Sequence, residues 1–65
     1  MNHLTQRESE ILQLVCDGLT NKEIGSELAI AATTARQHVQ IIFQKLQVNC
    51  RAAAAAEAIR RQLAV

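Results

Sequence analysis

Residues 20 to 46 read TNKEIGSELAIAATTARQHVQIIFQKL, and the architecture turns on how this stretch divides. Thr20-Asn21-Lys22-Glu23 has the spacing of a capping box, in which a Thr hydroxyl and a Glu carboxylate each satisfy a free backbone N–H at a helix start. The spacing predicts a helix from about Asn21 through Ile24 and Leu28. After Leu28-Ala29-Ile30-Ala31, the residues Ala35, Val39, Ile42 and Leu46 fall at i, i+4, i+7 and i+11, which predicts a second helix with one apolar face. Gly25 lies inside the first of these helices, at a helix-propensity cost of roughly 1 kcal/mol relative to Ala. A close crossing by the next helix is the simplest reason for it.

Working outward, Thr5-Gln6-Arg7-Glu8 repeats the capping-box spacing upstream and predicts a helix beginning there. Leu4, Ile11, Leu12 and Val15 give it an apolar stripe, with Gln6, Glu10 and Gln13 outside, and Gly18 ends it in a left-handed conformation. Downstream, Gln47 to Cys50 reads as a connection. Arg51 then leads into a fourth helix that carries five consecutive alanines from Ala52 to Ala56, then Ala58 and Ile59. Alanine forms helix readily but buries little, so this helix suits close approach to another backbone. That backbone is either the domain's own core or the same helix of a second copy, and the pattern leaves both open.

The expected fold is therefore all-α, with four helices in one domain spanning residues 1 to 65. The composition agrees: no proline, two glycines and a single aromatic residue in 65. At this length a core rarely supplies more than ~3 to 5 kcal/mol, so such domains usually lean on a tether, a dimer partner or a ligand. No apolar run reaches the roughly 18 residues of a membrane span, and no signal peptide is legible, so a soluble, cytoplasmic domain is expected. Cys16 and Cys50 form no C-x-x-C pair, and neither they nor His3 and His38 have ligand spacing, so no metal or cofactor is assigned. Paired acid and base, nucleophile constellation and glycine-rich phosphate loop are all lacking, which argues against an enzyme.

The net charge of +1 conceals an asymmetry. Residues 1 to 30 set Arg7 and Lys22 against Glu8, Glu10, Asp17, Glu23 and Glu27, a net of −3. Residues 31 to 65 set Arg36, Lys45, Arg51, Arg60 and Arg61 against Glu57, a net of +4. A protein with one phosphate-facing side shows such a split, as does an ordinary solvated surface. The outer face of the third helix carries Thr33, Arg36, Gln37, Gln40, Ile41 and Gln44, which offer one cation, no acid and several long hydrogen-bonding arms. Arg and Gln suit bidentate bonds to guanine and adenine edges in the major groove; a solvated Gln-rich face is the plain alternative. Two helices joined by three or four residues, the second with a polar outer face, have the organisation of a helix-turn-helix.

Further residues sharpen this pattern. Leu4-Thr5 with Glu8, then Gly18-Leu19-Thr20-Asn21-Lys22-Glu23-Ile24, then Thr34 with His38-Val39, and Lys45-Leu46 with Val48 and Arg51, fall at one characteristic spacing. Over essentially its whole length the chain resembles the LuxR/GerE family of DNA-binding domains. The resemblance implies a helix-turn-helix output domain of a bacterial transcription regulator, with helix 3 in the major groove and helix 4 supporting it and often making a dimer contact. The family's base-reading positions fall on Arg36, Gln37 and Gln40, and Arg36 is equally suited to a phosphate. Thr33 and Thr34 at the start of helix 3, Asn21 and Lys22 at the start of helix 2, and Lys45 are the phosphate candidates, since helix starts favour anions. Thr34 has capping or packing as its alternative, and Lys22 and Lys45 have plain surface roles. Arg51 is expected to tie the turn between helices 3 and 4 to the core. Ile41 meets a thymine methyl, a partner or the edge of the core.

The chain departs from the family pattern at Ala31, where a Ser or Thr cap is usual, and losing such a cap typically costs about 1 kcal/mol. Ala35 replaces a larger β-branched residue, Gln47 a Gly, and Ala52-Ala53 a Thr-Glu opening; together these predict a less stable domain of the same fold. The expected function is sequence-specific double-stranded DNA binding as a homodimer formed through helix 4 around Ala55, Ala58 and Ile59. An upstream receiver or ligand-binding domain is implied. The rival is a helical protein-interaction module that docks through the Ala-rich helix and Ile41.

Overall fold

A computed structural model describes residues 4–61 as four helices: α1 (Gln6–Cys16), α2 (Asn21–Leu28), α3 (Ala32–Leu46) and α4 (Arg51–Arg61). Both capping boxes form. Thr5 Oγ1 accepts from the Glu8 backbone N–H at 3.1 Å while Glu8 Oε1 accepts from the Thr5 N–H at 2.8 Å. Thr20 and Glu23 repeat the exchange at 3.2 and 2.8 Å. Each box satisfies two backbone donors that a helix start otherwise leaves without partners.

Three helices end in the same way. After α1, the Leu19 N–H donates to the Leu14 carbonyl and that of Gly18 to Val15; Ile30 and Val48 make the matching long bonds to Gly25 and Phe43. These are Schellman closures, which need one residue in the left-handed region. Gly18 takes it after α1 with φ +90°. After α2 and α3 the position falls to Ala29 (φ 57°) and Gln47 (φ 59°), whose Cβ atoms are strained there. Sequence pattern located the first closure through its glycine, and the other two lack that mark.

The core is Ile11, Leu12, Val15, Ile24, Ala35, Val39, Ile42, Leu46, Ala54 and Ala58. It includes every apolar position expected on the inner face of α3. Leu4 precedes the Thr5 cap and packs half-buried against this core. α2 packs mainly against α3, while α1 packs against both α3 and α4. Of the α4 alanines, Ala54 and Ala58 are fully buried in the domain's own core, while Ala52 and Ala56 are exposed. Gly25 is buried as well, and a Cβ built there would lie 2.7 Å from the Ile30 carbonyl oxygen and 3.3 Å from the backbone of Ala31 and Ala32. The close approach expected at Gly25 is thus made by the turn itself, as the chain doubles back from α2 into α3.

Among the described residues no helix is long and apolar enough to cross a membrane. Cys16 and Cys50 are free thiols, and burial, followed by the neighbouring Asp17 carboxylate, pushes the Cys16 thiol up from its ordinary value. His3 lies outside the described residues.

Candidate nucleic-acid interface

α3 starts directly after the turn of residues 29–31, which Gly25 permits, and its inner face is fixed by the buried Ala35, Val39, Ile42 and Leu46. With that face inward, helical geometry sends the opposite one to solvent. Thr33, Arg36, Gln37, Gln40, Ile41 and Gln44 are all exposed, and Thr34 and His38 are half-buried at the flanks. The three candidate base-reading side chains, Arg36, Gln37 and Gln40, therefore stand together on the outer side of one helix. Ala31, at the N-cap of α3, makes no side-chain cap. The first-turn N–H groups of α3 are left for water or an incoming acceptor beside the exposed Thr33.

The phosphate candidates divide by environment. Lys22 is exposed in the first turn of α2, beside the capping Thr20. The backbone N–H of Thr20, then its hydroxyl, hold the Glu23 carboxyl below its usual value. Asn21 is half-buried, and its side-chain oxygen accepts from Arg51 Nη2. Arg51 Nη1 also donates to the Leu19 carbonyl at 2.6 Å. Arg51, directly after the turn between α3 and α4, ties that turn to the rest of the domain as expected, and its planar fork does so by bonding the α1–α2 turn and the start of α2.

Lys45 also has an internal partner. Its ammonium lies 2.7 Å from Glu8 Oε1. Glu8 is 7% exposed, the one buried charged residue among the described residues. Burial pushes its carboxyl up, but the Lys45 hydrogen bond, the Thr5 backbone N–H and the Lys45 charge together hold it below the usual value. One carboxylate thus caps α1 and anchors the far end of α3. Sequence reading missed this anchor although a signal exists: Glu8, Ile11, Leu12 and Val15 fall at i, i+3, i+4 and i+7, on one stripe.

On α4 the expected dimer surface is corrected in part. Ala58 is fully buried in its own core and so is unavailable to a second copy; Ala55 is half-buried, and Ile59 is 73% exposed. Arg60 pairs with Glu57 on the same helix.

Two consecutive helices joined by a three-residue turn, the second held by its inner face and presenting a polar outer one, define a helix-turn-helix DNA-binding module. The family described as bacterial regulatory proteins, luxR family, matches residues 2–58, and the chain belongs to it. It is 47% identical over 57 residues to the transcriptional regulatory protein DegU of Brevibacillus brevis, covering 88% of this chain and 24% of that one. To the transcriptional regulatory protein LiaR of Bacillus subtilis (strain 168) it is 50% identical over 60 residues, covering 92% and 28%. Among solved structures it matches the response regulator ChrA of a heme-sensing two-component system with a TM-score of 0.91 and 36% identity, over 97% of this chain and 31% of that one. The transcription factor GerE matches with a TM-score of 0.85 and 37% identity, over 95% and 92%. The chain spans about a quarter of the length of the curated relatives it matches. Family and fold together make it a DNA-binding domain of a transcription regulator.

Proposed function

We propose that the domain reads a specific double-stranded DNA sequence by placing α3 in the major groove, and that it acts as a homodimer on two half-sites. The observation that carries this reading is the exposed outer face of α3, where Arg36, Gln37 and Gln40 stand together with no acidic residue anywhere in that helix. The mechanism is contact rather than catalysis. Lys22, Thr33, Thr34 and the uncapped N–H groups at the start of α3 fix the register on phosphates, and Arg36, Gln37 and Gln40 bond base edges. Asn21 and Lys45 contribute mainly through Arg51 and Glu8, which position α2 and α3. Ile59 and the neighbouring Ala55 supply the apolar part of the contact between copies. In a longer regulator, an upstream receiver or ligand-binding domain would set when the two copies pair, in the cytoplasm where the DNA lies.

Selection of bound duplexes from a random library tests this reading, with wild type beside an Arg36→Ala, Gln37→Ala, Gln40→Ala triple variant. A palindromic motif lost in the variant is the expected result. The same motif from both proteins would remove α3 from the groove, and salt-insensitive behaviour with no motif would move the function to protein docking.

A further inference from the structure

Ile41 is the one apolar side chain among the six outer-face residues of α3, and the bonding scheme above does not use it. It is 42% exposed and belongs neither to the buried core nor to the half-buried apolar side chains packed on it. More than half of its surface is covered by the fold, as the edge-of-core alternative expects, and the remainder is open to solvent. Its neighbours one turn away are Gln37 and Gln44, and Gln40 precedes it, so the isoleucine sits among long polar arms. Local stability does not account for it, because isoleucine is a poorer helix former than the glutamines around it. The open part of its apolar surface is wet in the free chain, and what covers that part must come from outside.

The major groove offers one apolar feature on a base edge, the C5-methyl of thymine; cytosine carries only a hydrogen at C5 and an amino group on the adjacent C4. We propose that Ile41 is a specificity-determining residue that packs on a thymine C5-methyl at the edge of each half-site, next to the bases read by Gln37 and Gln40. Gln37 and Ile41 are one helical turn apart, so their contacts fall on neighbouring base pairs of the same groove. Thymine is selected over cytosine by methyl burial together with avoidance of an unpaired amino group against an aliphatic side chain. The inference rests on the assignment of α3 to the groove.

The test begins with the selected consensus duplex, in which each thymine is replaced in turn by deoxyuridine, which differs only by the methyl. Wild type should lose about fourfold in affinity at one thymine per half-site, the size expected for one buried methyl group. Ile41→Ser should show no loss there, and Ile41→Val should keep most of the discrimination. Thermal unfolding of both variants checks that the fold persists. Uniform indifference to deoxyuridine, or an equal loss in Ile41→Ser, would overturn the assignment while base reading by Arg36, Gln37 and Gln40 stands. If the triple variant selects the same consensus as wild type, α3 is not the reading helix and both conclusions fall.

Discussion

A missing cap, a strained left-handed residue and a crowded glycine are features that single substitutions should reveal. Ala31 caps α3 with no side chain. Ala31→Ser supplies an oxygen for a first-turn N–H and should stabilise the domain by about 1 kcal/mol. At this size that is a rise of roughly 4 to 8 °C in Tm, read by circular dichroism. Gln47 holds a left-handed conformation at the end of α3. Gln47→Gly relieves its Cβ, partly offset by added freedom in the unfolded chain, and should raise stability by roughly 0.5 to 1 kcal/mol. Gly25→Ala goes the other way. The added Cβ would meet backbone, which cannot swing aside, so a loss of about 1 to 3 kcal/mol is expected from the same melting experiment.

Between elements, the tie from Glu8 on α1 to Lys45 on α3 governs the acid limb of stability. The folded-state carboxyl titrates below its ordinary value of 4.5, so its contribution is complete above that value and is lost as pH falls through the lower folded one. Melting between pH 6 and pH 3 should therefore show a falling Tm, and Glu8→Gln should flatten the slope without abolishing it, since Glu23 titrates in the same sense. Lys45→Met leaves Glu8 nearly buried without its cation and should cost about 1 to 3 kcal/mol. A smaller cost in the Glu8→Gln background, measured as a double-mutant cycle, would establish the coupling. These ties also mark where sequence reading stops. Both capping boxes and the inner face of α3 were legible because they depend on spacing within one helix. Arg51 reaching Leu19 and Asn21, and Lys45 reaching Glu8, join residues 30 or more positions apart; periodicity can place Glu8 on the inner stripe of α1, but it cannot name a partner at that separation. The outer face of α3 was legible for the same reason as its inner one, whereas the role of Ala58 depended on which element α4 lies against.

For the molecule as a whole, DNA affinity should fall steeply with added salt as phosphate contacts release counterions. Lys22→Ala should weaken binding to every duplex alike and lower the log–log salt slope by about 1, while Gln40→Ala should keep the slope and relax preference at one base pair; fluorescence anisotropy at several salt concentrations separates the two. The packing of α1 between α3 and α4 bears on how the chain is made. During synthesis α2 and α3 emerge early and need only each other and their turn to fold back as a pair. The α1 stripe, by contrast, keeps part of its apolar surface uncovered until Ala54 and Ala58 leave the ribosome and Arg51 reaches the Leu19 carbonyl. With α4 not yet docked, the α2–α3 pair would be formed while part of the α1 stripe stays open to a chaperone or protease. Docking of α4 thus ends the interval in which the newborn domain is vulnerable.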